Sequence, residues 1–207
     1  MTIKAIVFDL DGVYFLGGNE NFKKNMNAEY GIPIPKIEEV YFKSYEMRAY
    51  KEGNLSNEEF WEYAINEWDI TATKEEILDL LVNGYEINRK AVKLIENLHR
   101  NGYQTAICTN NFPARIRVLQ EKFDFIRDFD VAVLSYEEGI TKPNPRIYNI
   151  LKNRLGCEKN EIFITDDNRT NVEKLNDMGF IASLYVNFGT FKNELREYGV
   201  NINQSKE

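Results

Sequence analysis

Ile3-Lys4-Ala5-Ile6-Val7-Phe8-Asp9-Leu10-Asp11-Gly12-Val13 is an apolar run that breaks off in two carboxylates. Its apolar part has the length and residue types of a strand buried on both faces. Side chains alternate along an extended chain, so Asp9 and Asp11 point one way and Leu10 the other. Two like charges about 4 Å apart repel by roughly 4 kcal/mol at an effective dielectric of about 20. A chain that keeps both must protonate one, hold a cation between them or leave them open to water. On this stretch alone, a metal-dependent site and a solvated acidic turn stand level.

Further short apolar runs at 103–108, 131–134, 162–165 and 181–186 read as companion strands. Helical patterns separate them, at about 86–101, 113–123, 145–154, 169–178 and 190–198. Gly102 and Gly179 stand where helix C-caps are expected, and Asn144-Pro145 is a helix start. This alternation predicts a doubly wound α/β fold around a parallel sheet, with ligands at the carboxyl ends of the strands.

Residues 15–84 interrupt the alternation and contain no convincing strand. Ser56-Asn57-Glu58-Glu59 and Thr73-Lys74-Glu75-Glu76 match the capping box. Phe60, Trp61, Ala64, Ile65 and Trp68 make one apolar stripe, while Ile37, Val40, Tyr41, Ser44 and Tyr45 make a more mixed one. The expected organisation is an α/β core of residues 1–14 and 85–207, with a helical insert at 15–84 over the mouth of the sheet. The tail 201–207 is polar and expected to fray.

The 207 residues suffice for one sizeable domain or a core with a small insert, and thirteen phenylalanines and twelve tyrosines supply core material. A net charge of −7 argues against a general nucleic-acid or acidic-membrane binder. A small anionic substrate needs only a local lysine, a metal ion and backbone amides. No apolar run approaches a membrane span and no signal pattern opens the chain, so a cytoplasmic location is expected. Nothing in the sequence fixes an oligomeric state. Cys108 reads as a core thiol, and neither it nor Cys157 has an arginine six residues on, which excludes the cysteine-phosphatase loop. The sole histidine, His99, falls in a polar helix end and reads as a C-terminal helix residue.

Three more stretches carry chemistry. Asp166-Asp167 follows the run at 162–165, on the same strand-end rim as Asp9 and Asp11. As many as four negative charges in one crevice call for a divalent cation, and hard oxygen ligands suit Mg²⁺. Thr109-Asn110 ends another strand before a helix, where a hydroxyl and free amides can grip a phosphate or merely cap a turn. Lys142, in Gly139-Ile140-Thr141-Lys142-Pro143-Asn144-Pro145, is held in an extended loop by the prolines and can offset the carboxylates.

In this order, the four stretches resemble the four motifs of the haloacid dehalogenase-like hydrolase superfamily. Asp9-Leu10-Asp11-Gly12-Val13 is similar to the first, Thr109-Asn110 to the second, Lys142-Pro143 to the third and Asp166-Asp167 to the fourth. The insert resembles the small helical cap of the subfamily that includes many sugar-phosphate phosphatases. The resemblance implies that Asp9 is the nucleophile and Asp11 the general acid and then base. It implies that Thr109 and the backbone around Asn110 hold the phosphoryl oxygens, and that Lys142 neutralises charge on nucleophile and phosphate. It also implies Mg²⁺ held by Asp9, the Asp11 carbonyl and Asp167, with Asp166 supporting from behind. The substrate would be a small phosphorylated metabolite, such as a sugar phosphate, whose leaving group meets Arg48, Tyr45 and Lys51. Asp11 argues against the dehalogenating branch, which lacks that second aspartate. Three other readings share these motifs: a phosphosugar mutase, a phosphonate-cleaving enzyme with an imine-forming cap lysine, and a non-catalytic binding protein. For the second, none of Lys23, Lys24, Lys36, Lys43 and Lys51 has a persuasive apolar setting.

Overall fold

The structure is a computed structural model, described here over residues 2–203. Its centre is strand β1 (Ala5–Phe8), every residue of which is buried. After it come the two-residue strand β2 (Phe15–Leu16) and helices α1 (Gly18–Tyr30) and α2 (Ile34–Glu38). A π-helical turn at Glu39–Lys43 leads to α3 (Tyr45–Lys51), α4 (Asn57–Trp68) and α5 (Lys74–Asn83). Strand β3 (Glu86–Ile87) then pairs antiparallel with β2, bracketing the helical stretch. The remainder alternates: α6 (Arg89–Arg100), β4 (Gln104–Thr109), α7 (Pro113–Phe123), β5 (Val131–Leu134), α8 (Ser135–Glu138), α9 (Pro145–Leu155), β6 (Ile162–Asp166), α10 (Arg169–Asp177), β7 (Ile181–Leu184) and α11 (Phe188–Glu197).

Strands β5-β4-β1-β6-β7 form one parallel sheet in that order. The chain winds outward from β1 through β4 to β5, then returns to β6 on the other side of β1. The doubly wound parallel α/β fold read from the sequence is therefore present. The carboxyl ends of β1, β4 and β6 are adjacent at its switch point, where open α/β sheets bind ligands.

Local rules account for most helix ends. Ser56 and Thr73 each close a full capping box, and Asn144 caps α9 ahead of Pro145. Gly102 and Gly179 both take positive φ. Two expectations need correction. Phe15–Leu16 and Glu86–Ile87 are strands, too short to show a period in sequence but registered by pairing with each other. The start of the tail does not fray: Ile202 is 5% exposed, and the Asn201 amide donates to the Tyr103 hydroxyl at 2.9 Å. The rest of the tail, 204–207, lies outside the described residues. His99, in the last turn of α6, bonds Thr105 Oγ1 at 2.7 Å. Among the described residues, no helix is long and apolar enough to cross a membrane.

The apolar core is split by the sheet, and its larger part runs without a break from the sheet into the helical layer α1–α5. Phe112, in the turn after β4, joins the two. Its fully buried ring stacks on Tyr50 with centroids 4.7 Å apart and meets Tyr41 and Trp61 edge-on at 5.9 and 6.2 Å. Truncating a buried phenylalanine to alanine costs roughly 3–5 kcal/mol through lost transfer energy and the cavity left behind. Phe112→Ala should therefore lower unfolding stability by about that amount in urea titration, and a loss below about 1 kcal/mol would contradict the packing described.

Candidate active site

The strand ends set out the site. Beyond β1 the ladder extends by one bond, the Asp9 amide donating to the Thr165 carbonyl at 3.0 Å, which fixes Asp9 against the end of β6. Lys142, in the loop between α8 and α9, sends its ammonium between Asp9 Oδ1 (3.0 Å) and Asp166 Oδ2 (2.7 Å). All three side chains are nearly inaccessible, at 4% for Lys142, 11% for Asp9 and 2% for Asp166.

The Asn110 side chain holds the lysine loop. Its amide nitrogen donates to the Lys142 carbonyl at 2.9 Å, and its amide oxygen accepts from the Lys142 backbone N–H at 2.7 Å. That two-way clasp commits the Asn110 side chain to positioning Lys142. Thr109 is buried beside it, its hydroxyl accepting from Asn111 Nδ2 at 3.4 Å.

Asp166 is saturated by protein donors. Asn171 Nδ2 reaches both its oxygens, at 3.0 and 3.1 Å, and the Asn168 amide donates to Oδ1 at 2.8 Å. Asp167 differs: it is exposed, and among the described residues it pairs with no cation. Its carboxylate lies over Gly12, where an added Cβ would come within 2.9 Å of Oδ2; at φ +74° the backbone there also disfavours any side chain. Oxygens of Asp9, Asp166 and Asp167 all lie within 4.8 Å of one another.

Asp11 is engaged by a residue the sequence reading passed over. Arg115, 2% exposed on α7, makes an ion pair with Asp11 Oδ1 and rests its guanidinium 4.9 Å from the centroid of the Tyr85 ring. Its signal in sequence was a charged residue one turn before buried Leu119 on the same helix face, which alone reads as a solvated arginine.

These charges are unbalanced. Burial raises the Asp9 carboxyl to about 7; Lys142 opposes the rise, while Asp166, Asp11 and Asp167 add to it. Burial and then Asp166 raise Asp167 as well. Burial works against the charge on Lys142, but Asp9 and Asp166 outweigh it and hold its pKa well above the ordinary value. Four carboxylates thus meet two cations, Lys142 and Arg115, one shared by Asp9 and Asp166 and the other taken by Asp11. Asp167 is left over, and a divalent cation held by Asp9 and Asp167 fits both the oxygen donors and the charge deficit.

Asp9 Oδ1 is occupied by Lys142 and by the Leu10 amide at 2.8 Å. Oδ2 has no protein partner among the described residues.

From the helical layer, α3 reaches this rim. The Ser135 hydroxyl accepts from the Asn111 amide at 3.0 Å and donates to the Lys51 carbonyl at 2.6 Å. Thr141 Oγ1 donates to Glu52 Oε1 at 3.1 Å. Gly53 sits so close to Tyr136 that a Cβ would lie 2.4 Å from its carbonyl oxygen. Of the cap residues expected to meet a leaving group, Arg48 and Tyr45 are exposed, Tyr45 at 71%. Lys51, which shows no apolar setting in sequence, is the one within electrostatic reach of Asp11 and Arg115.

The haloacid dehalogenase-like hydrolase family model matches residues 3–179. Bifunctional epoxide hydrolase 2 of the pig, Sus scrofa, is 24% identical over 99% of the chain and 40% of its own length; the mouse protein, from Mus musculus, is 31% identical over 54% of the chain and 21% of its length. The chain thus spans two fifths or less of these curated relatives. A haloacid dehalogenase family enzyme from Bacteroides thetaiotaomicron, solved with magnesium and inorganic phosphate, superposes with a TM-score of 0.77 at 21% identity, over 88% of this chain and 93% of its own. A phosphatase of the same family from Thermococcus onnurineus gives 0.67 at 19% identity, over 97% and 100%. At these identities the structural matches show the fold alone.

The charge deficit has a sign that can be tested. A raised Asp9 pKa means the metal-free folded state holds its proton up to about pH 7, whereas an unfolded aspartate loses it near 4. Asp9 therefore costs the metal-free protein stability as pH rises through that window, and a cation that binds the ionised form removes the cost. Saturating Mg²⁺ should raise the melting temperature more at pH 8 than at pH 5.5; an equal or smaller rise at pH 8 would contradict this.

Proposed function

The chain belongs to the haloacid dehalogenase-like hydrolase family, and on that premise we propose that it is a Mg²⁺-dependent phosphomonoesterase acting on a small phosphorylated metabolite through an aspartyl-phosphate. One observation carries the reading: Asp9 has one oxygen fixed by Lys142 and the Leu10 amide and the other free, amid excess negative charge.

Asp9, Asp167 and the carbonyl of Asp11 would hold Mg²⁺, with Asp166 behind them; the ion would supply charge neutralisation for the nucleophile and the phosphoryl oxygens. Asp9 Oδ2 attacks phosphorus as the bond to the leaving oxygen breaks. That oxygen keeps the electron pair and takes a proton from Asp11. Water then attacks the same phosphorus, gives its proton to Asp11, and Asp9 departs as a free carboxylate. Lys142 neutralises charge on Asp9 and the phosphoryl group, Thr109 and the amides after it grip the equatorial oxygens, and Arg115 sets where Asp11 stands. The helical layer α1–α5 acts as a cap over the rim, keeping water out while the leaving group is present. Such catalysis is mostly positioning and charge stabilisation.

With Mg²⁺ present, p-nitrophenyl phosphate should be hydrolysed, and chelation should abolish the activity. Asp9→Asn should reduce kcat by more than about a thousandfold, the loss of an essential nucleophile. Hydrolysis that survives both Asp9→Asn and chelation would sink the assignment.

A further inference from the structure

The groups that meet Asp11 are nearly all donors. Besides the Arg115 nitrogen paired with that carboxylate, Arg115 Nε is buried with no partner, and the buried Tyr41 hydroxyl has only Arg115 beside it. Both side chains are almost wholly buried, at 2% and 1% exposure, and Tyr41 feels the Arg115 charge. The ammonium of Lys51 is a third donor. Its helix end is fixed on the core by the Ser135 bond to the Lys51 carbonyl, the Thr141–Glu52 bond beside Lys142 and the close approach of Gly53. Among the described residues, Lys51 makes no ion pair and its ammonium no hydrogen bond, although fifteen ion pairs elsewhere use other lysines and arginines or link Lys142 to the site, with His99 completing the set.

Buried polar groups are ordinarily satisfied, and Lys51, half-buried and without an acceptor among the described residues, carries part of the desolvation cost of its charge. Burial first, and then the Arg115 charge, pull Lys51 down to about 8, against the opposing pull of Asp11. It is thus still mainly a cation at neutral pH. Were Mg²⁺ to balance the carboxylates around Asp9, Lys51 would be surplus positive charge on the leaving-group side of Asp11.

Given the phosphomonoesterase reading, on which this step rests, we propose that the substrate carries a second anionic group on its leaving group, and that Lys51 binds it with the Arg115 charge behind. An ammonium recognises such a group as a point charge, so carboxylate and phosphate share the chemistry.

Titration calorimetry on the full chain with Mg²⁺ tests this without requiring turnover. The probes are propylphosphonate, which has one anionic end, and 3-phosphonopropionate and propane-1,3-bisphosphonate, which have two. The wild type should bind at least one two-ended probe tenfold or more tighter than propylphosphonate, equivalent to about 1.4 kcal/mol. Lys51→Gln should bring that ratio close to one, and Lys51→Arg should keep it, with far-UV circular dichroism verifying both folds. The two-ended probe that gains more identifies the second group as carboxylate or phosphate. A wild-type advantage below tenfold for both, or one that Lys51→Gln leaves intact, overturns the proposal. Binding of propylphosphonate without any advantage for the others defeats this inference alone, whereas failure of all three to bind defeats the phosphomonoesterase reading with it.

Discussion

The Lys142 ammonium, buried between Asp9 and Asp166, is the contact around which the rest of the site is arranged. Two carboxylates at neighbouring strand ends would repel across a region that solvent scarcely reaches. Removing one member of such a buried set leaves an uncompensated charge, a loss of roughly 3–5 kcal/mol. Lys142 makes it possible for both acids to stay, yet it does not neutralise them. Burial, with the neighbouring acids adding to it, lifts Asp9 to about 7, and Asp167 is left without a counter-charge among the described residues. A site in that condition suits a divalent cation.

Everything nearby works to hold that lysine and those acids still. The parallel sheet brings β1, β4 and β6 side by side so that residues far apart in sequence end on one rim. Asn110 clasps the backbone of Lys142 from the end of β4, and Asn171 clasps the carboxylate of Asp166 from α10. Ser135 ties the turn after β4 to the end of α3, so the helical layer and the catalytic rim share one hydroxyl. Phe112 gives the same junction an apolar anchor. Such cross-links make the position of the helical layer and the geometry of the turn mutually dependent.

The sheet was legible because buried parallel strands write themselves as short apolar runs, and the helix starts were legible because Ser56, Thr73 and Asn144 cap by local hydrogen bonds. Asp9, Asp11, Lys142, Asp166 and Asp167 were legible because each follows a strand or sits in a loop stiffened by proline. The role of Asn110 was read in part: its place in the turn was right, but its side chain serves Lys142. Lys51 was named with Arg48 and Tyr45 as a contact for the leaving group, whereas Arg115 and Asn171 were given no role. The partner of Arg115 is Asp11, far along the chain, while that of Asn171 is Asp166, only five residues back; a single arginine or asparagine on a helix has the same local pattern whether it faces water or a carboxylate. Arg48 shows the converse, a plausible cation that the turn of α3 leaves exposed.

The central claim is that these charges converge so that Asp9, and no other acid, accepts a phosphoryl group. A crystal structure of the protein grown with Mg²⁺ and beryllium fluoride tests it most directly. The account predicts a trifluoroberyllate group bonded to a carboxylate oxygen of Asp9, with Lys142 at its fluorines and the metal beside Asp167. Beryllium fluoride bonded to a different carboxylate, or an Asp9 left bare while the metal is bound, would contradict it.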